Sequence, residues 1–241
     1  MNINIYIFDV DGTLTPARKP MADDFAKIFT NFLAKNTCYI VSGSDLDKIQ
    51  EQVKESILNK FAGIFCSMAN ELYIQNKLIY SNSFTPKQNL ISDLEEMRKN
   101  TKYPNTLHSN YIEIRKGMLN FSILGRNCKE QDRQNYYQWD IINQERESIK
   151  AVLESKYQDI YDISIGGQIS IDITPKNQGK EQSIPYLRKI YPNNKFIFCG
   201  DRIKEGGNDY YIARYCQTID NNSQVIEVSS PEYLLKVLNL V

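Results

Sequence analysis

Histidine is almost missing from this chain: His108 is the single imidazole among 241 residues. That scarcity argues against a His-based zinc site and against a hydrolase triad with a histidine base, and His108 is assigned no role. Net charge is also absent, because Lys plus Arg and Asp plus Glu number 29 each. No global field directs the chain toward nucleic acid or a membrane surface, so any anion must be bound locally. No apolar run approaches the roughly 18 residues of a membrane span, and the start of the chain lacks the basic segment and apolar stretch of a secretory signal. Cysteines are few, scattered and odd in number (Cys38, Cys66, Cys128, Cys199, Cys216), with no C-x-x-C pair. They read as buried free thiols in a reducing compartment, not as a disulfide framework. The expectation is a soluble, cytoplasmic protein with no nucleic-acid and no membrane partner.

What is present is a pair of aspartates, Asp9 and Asp11, at the end of an apolar run (Ile3, Ile5, Tyr6, Ile7, Phe8) and directly before Gly12-Thr13-Leu14-Thr15. A strand that stops at carboxylates and a glycine delivers them to the carboxyl edge of a sheet, where open α/β folds bind ligands. A bare Asp-x-Asp-Gly is more often a plain turn at a strand end. It is not a calcium loop, which wants glycine at its sixth position, whereas Gly12 stands fourth from Asp9.

The first third alternates strand and helix. After the first strand come a helical pattern over 21–35 (Phe25, Ile28, Phe29, Phe32, Leu33), a strand over 37–41, and a helix carrying Leu46, Ile49, Val53 and Ile57 with Ser44 as its cap. A strand over 62–65 and a small hairpin around Gln75-Asn76 follow. This is the grammar of a parallel sheet with right-handed crossovers. The middle differs: 111–124 and 162–173 read as β-hairpins turning at Lys116-Gly117 and Gly166-Gly167, and 128–157, free of Gly and Pro, fits one or two helices. After Pro175 the first grammar returns, with a helix near 180–190, a strand over 195–199 ending in Gly200-Asp201, a short helix from about 208, a strand near 217–219 and a last helix over 231–238.

Two parallel strands thus end in acids, Asp9 and Asp11 on one and Asp201 on the other, with Asp209 one loop later. Three oxygens from such a cluster, with waters and a substrate phosphate, suit octahedral Mg²⁺. An aspartate there can attack phosphorus while a second acts as general acid and base. Lys180 and Ser42 can supply the charge and hydrogen bond that a phosphoryl group needs. Taken singly, Ser42 is a loop serine and Lys180 a solvated lysine at a helix start.

Their order is more specific. Asp-x-Asp-Gly-Thr after a first strand, serine after a second, a lysine opening a helix, then Gly-Asp and another Asp resembles the haloacid dehalogenase superfamily of aspartyl-phosphate enzymes. Phe8-Asp-Val-Asp-Gly-Thr-Leu-Thr15 with Arg18, Gly43-Ser-Asp with Lys48-Ile-Gln-Glu-Gln52, and Ile112-Glu-Ile-Arg-Lys-Gly-Met-Leu-Asn120 narrow the match. So do Gly125-Arg126, Ser164-Ile-Gly-Gly-Gln-Ile-Ser-Ile-Asp172 and Gly200-Asp201 through Gly206-Gly-Asn-Asp209. These blocks resemble the eukaryotic-type phosphomannomutase family over nearly the whole chain. The resemblance implies Asp9 as nucleophile and Asp11 as acid/base. It implies Asp201 as Mg²⁺ ligand with Asp9 and the Asp11 carbonyl, and it places Asp209 at the metal site. It further implies Arg115, Arg126, Arg133, Ser170 and Asp172 as groups holding the distal phosphate and sugar hydroxyls, with Arg18 as another phosphate contact. Without the surrounding motif, Arg126 and Arg133 beside Glu130 and Asp132 read as surface ion pairs. One departure stands out: the family's Glu-Asn-Gly segment is replaced by Met68-Ala69-Asn70-Glu71.

The expected fold is α/β, a Rossmann-like core of 1–81 and 179–241 with a parallel sheet, plus an inserted α+β cap of 82–178 with an antiparallel sheet of the C2b type. The expected activity is the interconversion of mannose 6-phosphate and mannose 1-phosphate, primed by a hexose 1,6-bisphosphate. Cap closure would shield the aspartyl phosphate from water. The resemblance also implies a homodimer through the caps. Competing readings are a phosphosugar phosphatase with the same nucleophile, and a non-catalytic sugar-phosphate binding protein.

Overall fold

The computed structural model describes residues 4–241; Ile3, the first residue of the expected apolar run, lies outside them. Strand β1 (Ile5–Phe8) leads to α1 (Asp23–Leu33), β2 (Thr37–Val41), the short helices α2 (Leu46–Gln52) and α3 (Glu55–Leu58), β3 (Gly63–Cys66) and a hairpin of β4 (Glu71–Ile74) and β5 (Lys77–Ser81). The middle stretch holds α4 (Gln88–Lys99), β6 (Ile112–Arg115), β7 (Met118–Phe121), α5 (Glu130–Asn143), α6 (Glu145–Tyr157), β8 (Tyr161–Gly166) and β9 (Ser170–Pro175). A 3₁₀ turn at Lys180–Gln182, α7 (Ser183–Ile190), β10 (Phe196–Gly200), α8 (Tyr210–Thr218), β11 (Ser223–Glu227) and α9 (Pro231–Val237) follow. The chain divides into two compact units. One takes in the chain up to Asn82 together with Gln178–Glu205 and Asp209–Val241; the other is Ser83–Asn177 with Gly206–Asn208.

The first unit is built on a seven-stranded sheet in the order β11-β10-β1-β2-β3-β4-β5. From β11 to β3 the strands run parallel, and the β4–β5 hairpin closes one edge antiparallel. Side chains alternate between the two faces because the strand period is two. Phe8 therefore joins α1 on one face, meeting Phe29 edge to face at 5.2 Å. Ile5 and Ile7 point the other way, into a core with Phe196, Phe198, Ile184 and Leu187 of β10 and α7. Helix α1 buries Phe25, Phe29 and Phe32, a stripe at helical spacing.

The second unit carries a four-stranded antiparallel sheet in the order β6-β7-β9-β8. Its register sorts residues into rows. Ile114, Leu119, Ile173 and Ile163 lie opposite one another, as do Ile112, Phe121, Ile171 and Ile165. Apart from Ile114, which is exposed at the edge strand, these residues pack with Leu90, Leu94, Tyr136 and Leu153 of α4, α5 and α6 into one core. The intervening row, Glu113, Asn120, Asp172 and Ser164, is polar from one edge of the sheet to the other. A one-residue slip would exchange the two faces.

Several expected details are corrected. The cap of α2 is Asp45, whose Oδ1 accepts from the Lys48 amide at 3.0 Å; Ser44 stands one residue too early. The helix expected to continue through Ile57 breaks at Val53, where φ is −123°. The strand expected near 217–219 is instead the end of α8 and the turn after it, because the buried stripe Ile212, Ala213, Cys216 carries the helix onward. The edge strand lies later, at Ser223–Glu227, and its half-exposed polar residues give little signal. Helix α4 has no counterpart placed by residue in the sequence reading.

Candidate active site

In the first unit, Phe8 pairs with Cys199 across β1 and β10, so the residues that follow, Asp9 and Asp201, leave adjacent strands at the same edge. The Asp9 amide continues the ladder to the Cys199 carbonyl at 2.9 Å. Ser42 follows β2, the neighbour of β1 on its other side, and is buried with its hydroxyl accepting from the Ser44 amide at 3.1 Å. The topology thus brings Asp9, Ser42 and Asp201 to one sheet edge, where a doubly wound fold binds ligands.

Lys180 reaches this edge from the 3₁₀ turn. Its ammonium donates to Asp9 Oδ1 at 2.7 Å and to Asp209 Oδ1 at 2.6 Å, and its side chain is only 1% exposed. Such a cation has no water to fall back on. Burial pulls its pKa down, but Asp209 and Asp9 overcome that and hold it above the ordinary lysine value. The solvated-lysine reading is therefore wrong for Lys180. The Asp9 carboxyl is raised well above the usual range by burial, despite Lys180, with Asp209 and Asp201 adding to the effect. Burial, with Asp209 next, lifts Asp201 to about 6.

Asp9, Asp201 and Asp209 offer ligand oxygens within 4.8 Å of one another. Asp9 Oδ2 and Asp201 Oδ1 are buried and meet no hydrogen-bond donor. Three carboxylates crowded together, with two oxygens unsatisfied, fit a hard divalent cation. The glycine at 12 is required here: a Cβ would lie 2.3 Å from Asp201 Oδ2, and φ is +80°. Asp209 differs from its neighbours. Lys180 occupies one of its oxygens and the Arg202 amide donates to the other at 3.2 Å, so it holds the lysine and the loop. The Asp11 carboxylate is not in the trio; its Oδ1 accepts from the Arg18 amide at 2.7 Å, with Arg18 at a φ of 59°.

In the second unit the polar row becomes a network. Arg126 donates through Nη1 to Asn120 at 2.8 Å and to Ser170 at 3.1 Å, and its Nε lies 2.9 Å from Glu113. Arg115 contacts the same Glu113 oxygen at 2.5 Å. Asn120 in turn donates to Asp172 at 2.5 Å. Two guanidinium groups are thus fixed by one carboxylate, with Asp172 as a second acid in the same row. Gly166 is needed beside them, since a Cβ there would approach Asp172 Oδ2 to 2.5 Å. Arg133, on α5, is not joined to this network by any hydrogen bond; it approaches Glu130 at 3.8 Å, and its buried Nη1 has no partner.

Glu113, Asn120 and Arg146 were not singled out by sequence. Arg146 is 6% exposed, pairs with Asp140 at 2.7 Å and donates to the Gly167 carbonyl at 3.0 Å, holding the turn between β8 and β9. The even-numbered alternation along β7 and β9 was the available signal for Asn120.

Known proteins agree with this architecture. The solved structure of a sugar phosphatase of HAD subclass IIB superposes with a TM-score of 0.59 at 14% identity, covering 99% of this chain and 100% of that one. A trehalose-6-phosphate phosphatase related protein gives 0.54 at 14% identity, covering 98% and 95%. At such identity the likeness concerns the fold, a HAD fold with a cap. Sequence carries further. A phosphomannomutase of Solanum lycopersicum is 34% identical over 244 residues, with 96% of this chain and 91% of the relative covered. One of Spinacia oleracea is 32% identical over 238 residues, covering 96% and 93%. The family model "Eukaryotic phosphomannomutase" matches residues 25–239. With the acid cluster, the buried lysine and the arginine-bearing sheet all in place, the chain belongs to the eukaryotic phosphomannomutase family.

Proposed function

We propose that the chain interconverts mannose 6-phosphate and mannose 1-phosphate, with Asp9 as the nucleophile that carries the phosphoryl group. Lys180 holds Asp9 in place and, with Ser42, faces the phosphoryl oxygens. Asp11 gives a proton to the departing sugar oxygen and takes one from the attacking hydroxyl, the Arg18 amide keeping its carboxylate aimed. Asp9, Asp201 and the Asp11 carbonyl would hold Mg²⁺, with Asp209 behind them keeping Lys180 in position. When bound, the ion neutralises the carboxylates and polarises the phosphoryl oxygens. Arg115 and Arg126, with Ser170 and Asp172, bind the distal phosphate and sugar hydroxyls; Arg133 and Arg18 are further phosphate contacts.

One observation carries the mutase reading: two arginines tied to Glu113, on a unit separate from the nucleophile. A phosphatase needs one phosphoryl site, whereas a mutase must keep a hexose 1,6-bisphosphate while it exchanges ends, and bidentate guanidinium groups suit the second phosphate. The reduced thiols fit a cytoplasmic protein, and among the described residues no helix is long and apolar enough to cross a membrane. A homodimer through the second unit is part of the same proposal, on family resemblance. The test is phosphorus NMR of the protein with Mg²⁺, mannose 1-phosphate and catalytic glucose 1,6-bisphosphate. Bisphosphate-dependent mannose 6-phosphate is expected; steady free phosphate without it would leave a phosphatase.

A further inference from the structure

The departure at Met68-Ala69-Asn70-Glu71 forms a buried turn. Ser67, Met68 and Ala69 have φ of 52°, 59° and 61°, three successive left-handed residues without a glycine among them. Such a run is unfavourable for residues that carry a Cβ and persists only where its surroundings hold it. All three are buried. Their amides point to the second strand's loop: Ser67 donates to the Ser44 carbonyl and Met68 to the Ser42 carbonyl, each at 2.9 Å. Their carbonyls are taken from the other side, Met68 by Gln182 Nε2 at 2.9 Å and Ala69 by the Tyr80 hydroxyl at 2.9 Å.

Asn70, fully buried, completes the turn. Its Nδ2 donates to Ser67 at 3.0 Å and to the Gln178 carbonyl at 3.2 Å, while its Oδ1 accepts from Asn82 Nδ2 at 3.3 Å. The Asn82 amide also donates to the Asn70 carbonyl at 2.8 Å. Asn82 and Gln178 are the residues of the first unit that flank the long second-unit segment Ser83–Asn177. Gln178 stands two residues before Lys180, and Gln182 donates to the same Gln178 carbonyl at 3.0 Å. One carboxamide therefore grips both ends of that long segment.

We infer that Asn70 is a positioning residue: it fixes Asn82 and Gln178 so that disturbance passed along the chain from the second unit stops there, and Lys180 keeps its place between Asp9 and Asp209. The inference rests on the proposed role of Lys180 in phosphoryl transfer. Asn70→Ala removes both side-chain grips, leaves the backbone bond from the Asn82 amide in place, and leaves every residue assigned to chemistry intact. Two measurements on the full-length protein test it. The first is amide hydrogen exchange over 178–183, which needs no activity; exchange is expected to speed by about tenfold, the loss of one hydrogen bond of about 1.4 kcal/mol. The second is the partition of turnover between mannose 6-phosphate and free phosphate, where kcat falls about ten- to a hundredfold with KM little changed and the phosphate share rises. A general loss of stability would not raise that share. Should Asn70→Ala fail to fold, Asn70→Asp, which keeps an acceptor for Asn82 but cannot donate to the Gln178 carbonyl, carries both measurements. Unchanged exchange at 178–183 with an unchanged partition in a folded variant overturns the inference. Faster exchange in a protein whose wild type makes no mannose 6-phosphate would instead retain the clasp and reject the mutase reading.

Discussion

Arg146 and Asp140 form an ion pair at 2.7 Å in which both side chains are 7% exposed, and the same guanidinium reaches across to the Gly167 carbonyl. A pair so deeply placed contributes little net stability over an apolar substitute, but breaking it strands a buried charge. Arg146→Ala is therefore expected to cost about 3–5 kcal/mol in urea unfolding. The double variant Arg146→Met with Asp140→Leu should recover most of that loss. If the single variant proves neutral, the pair does not hold the turn.

With Asp9 as the proposed nucleophile, Asp9→Asn should reduce mutase turnover by at least about a thousandfold. The fold should survive, since the change removes one of three crowded carboxylates. Stoichiometric phosphorylation by glucose 1,6-bisphosphate, followed by intact-mass measurement, should appear in wild type and vanish in the variant.

Asp9 Oδ2 and Asp201 Oδ1 lack donors, so a cation that satisfies them should stabilise the native state. At a hundred times its Kd, Mg²⁺ should add about 2.7 kcal/mol and raise the melting temperature. Asp201→Asn should show little Mg²⁺-dependent rise in a thermal scan. An equal rise in both proteins would place the ion elsewhere.

Arg126 is held by Glu113, Asn120 and Ser170, so Arg126→Ala should weaken substrate binding as well as loosen Asp172. A charge-assisted hydrogen bond of about 1.5–3 kcal/mol corresponds to a KM for the bisphosphate raised roughly ten- to a hundredfold. Phosphorylation of Asp9 by acetyl phosphate, which has no distal phosphate, should change far less. Equal losses with both donors would show that Arg126 supports the fold and not the substrate.

Acid should expose a separate contact. Burial alone would lift the Asp93 carboxyl, but Lys156 at 2.5 Å and the Tyr157 hydroxyl at 2.6 Å hold it below its usual value. A depressed folded pKa stabilises above the unfolded value of about 3.9 and the benefit drains away as pH falls through the folded one. The gap in unfolding free energy between wild type and Asp93→Asn should thus be largest near neutrality and shrink below about pH 4. Parallel curves would mean that the contact has no pH-linked effect.

Much of the first unit could be read from sequence because its signals are local. The apolar runs of β1, β2 and β10 are buried on both faces, and each ends near a carboxylate, a glycine or a serine. Asp201 and Lys180 were found through order along the chain. Asn120, Arg146 and Asn70 were not, because their partners are remote: the Asn70 to Gln178 bond spans 108 positions and the Asn120 to Asp172 bond spans 52. A polar residue looks ordinary until the fold buries it. The strand β11 was misplaced for the opposite reason, since an edge strand buries too little to leave a pattern. The cap of α2 turned on a single position, Ser44 against Asp45, which composition cannot separate.

The sheet order also has a consequence for biosynthesis. β1 sits between β2 and β10, and the Lys180 to Asp9 contact spans 171 positions. A chain emerging from the ribosome exposes Asp9 early, yet its neighbouring strand β10 is made only after the whole antiparallel sheet. The four strands of the antiparallel sheet all lie within 112–175, so their pairings can be complete while β1 still has an open side. Asp9 therefore stands beside an open strand edge while the second unit is made, and that unpaired edge of β1 is a surface on which the nascent chain can pair wrongly.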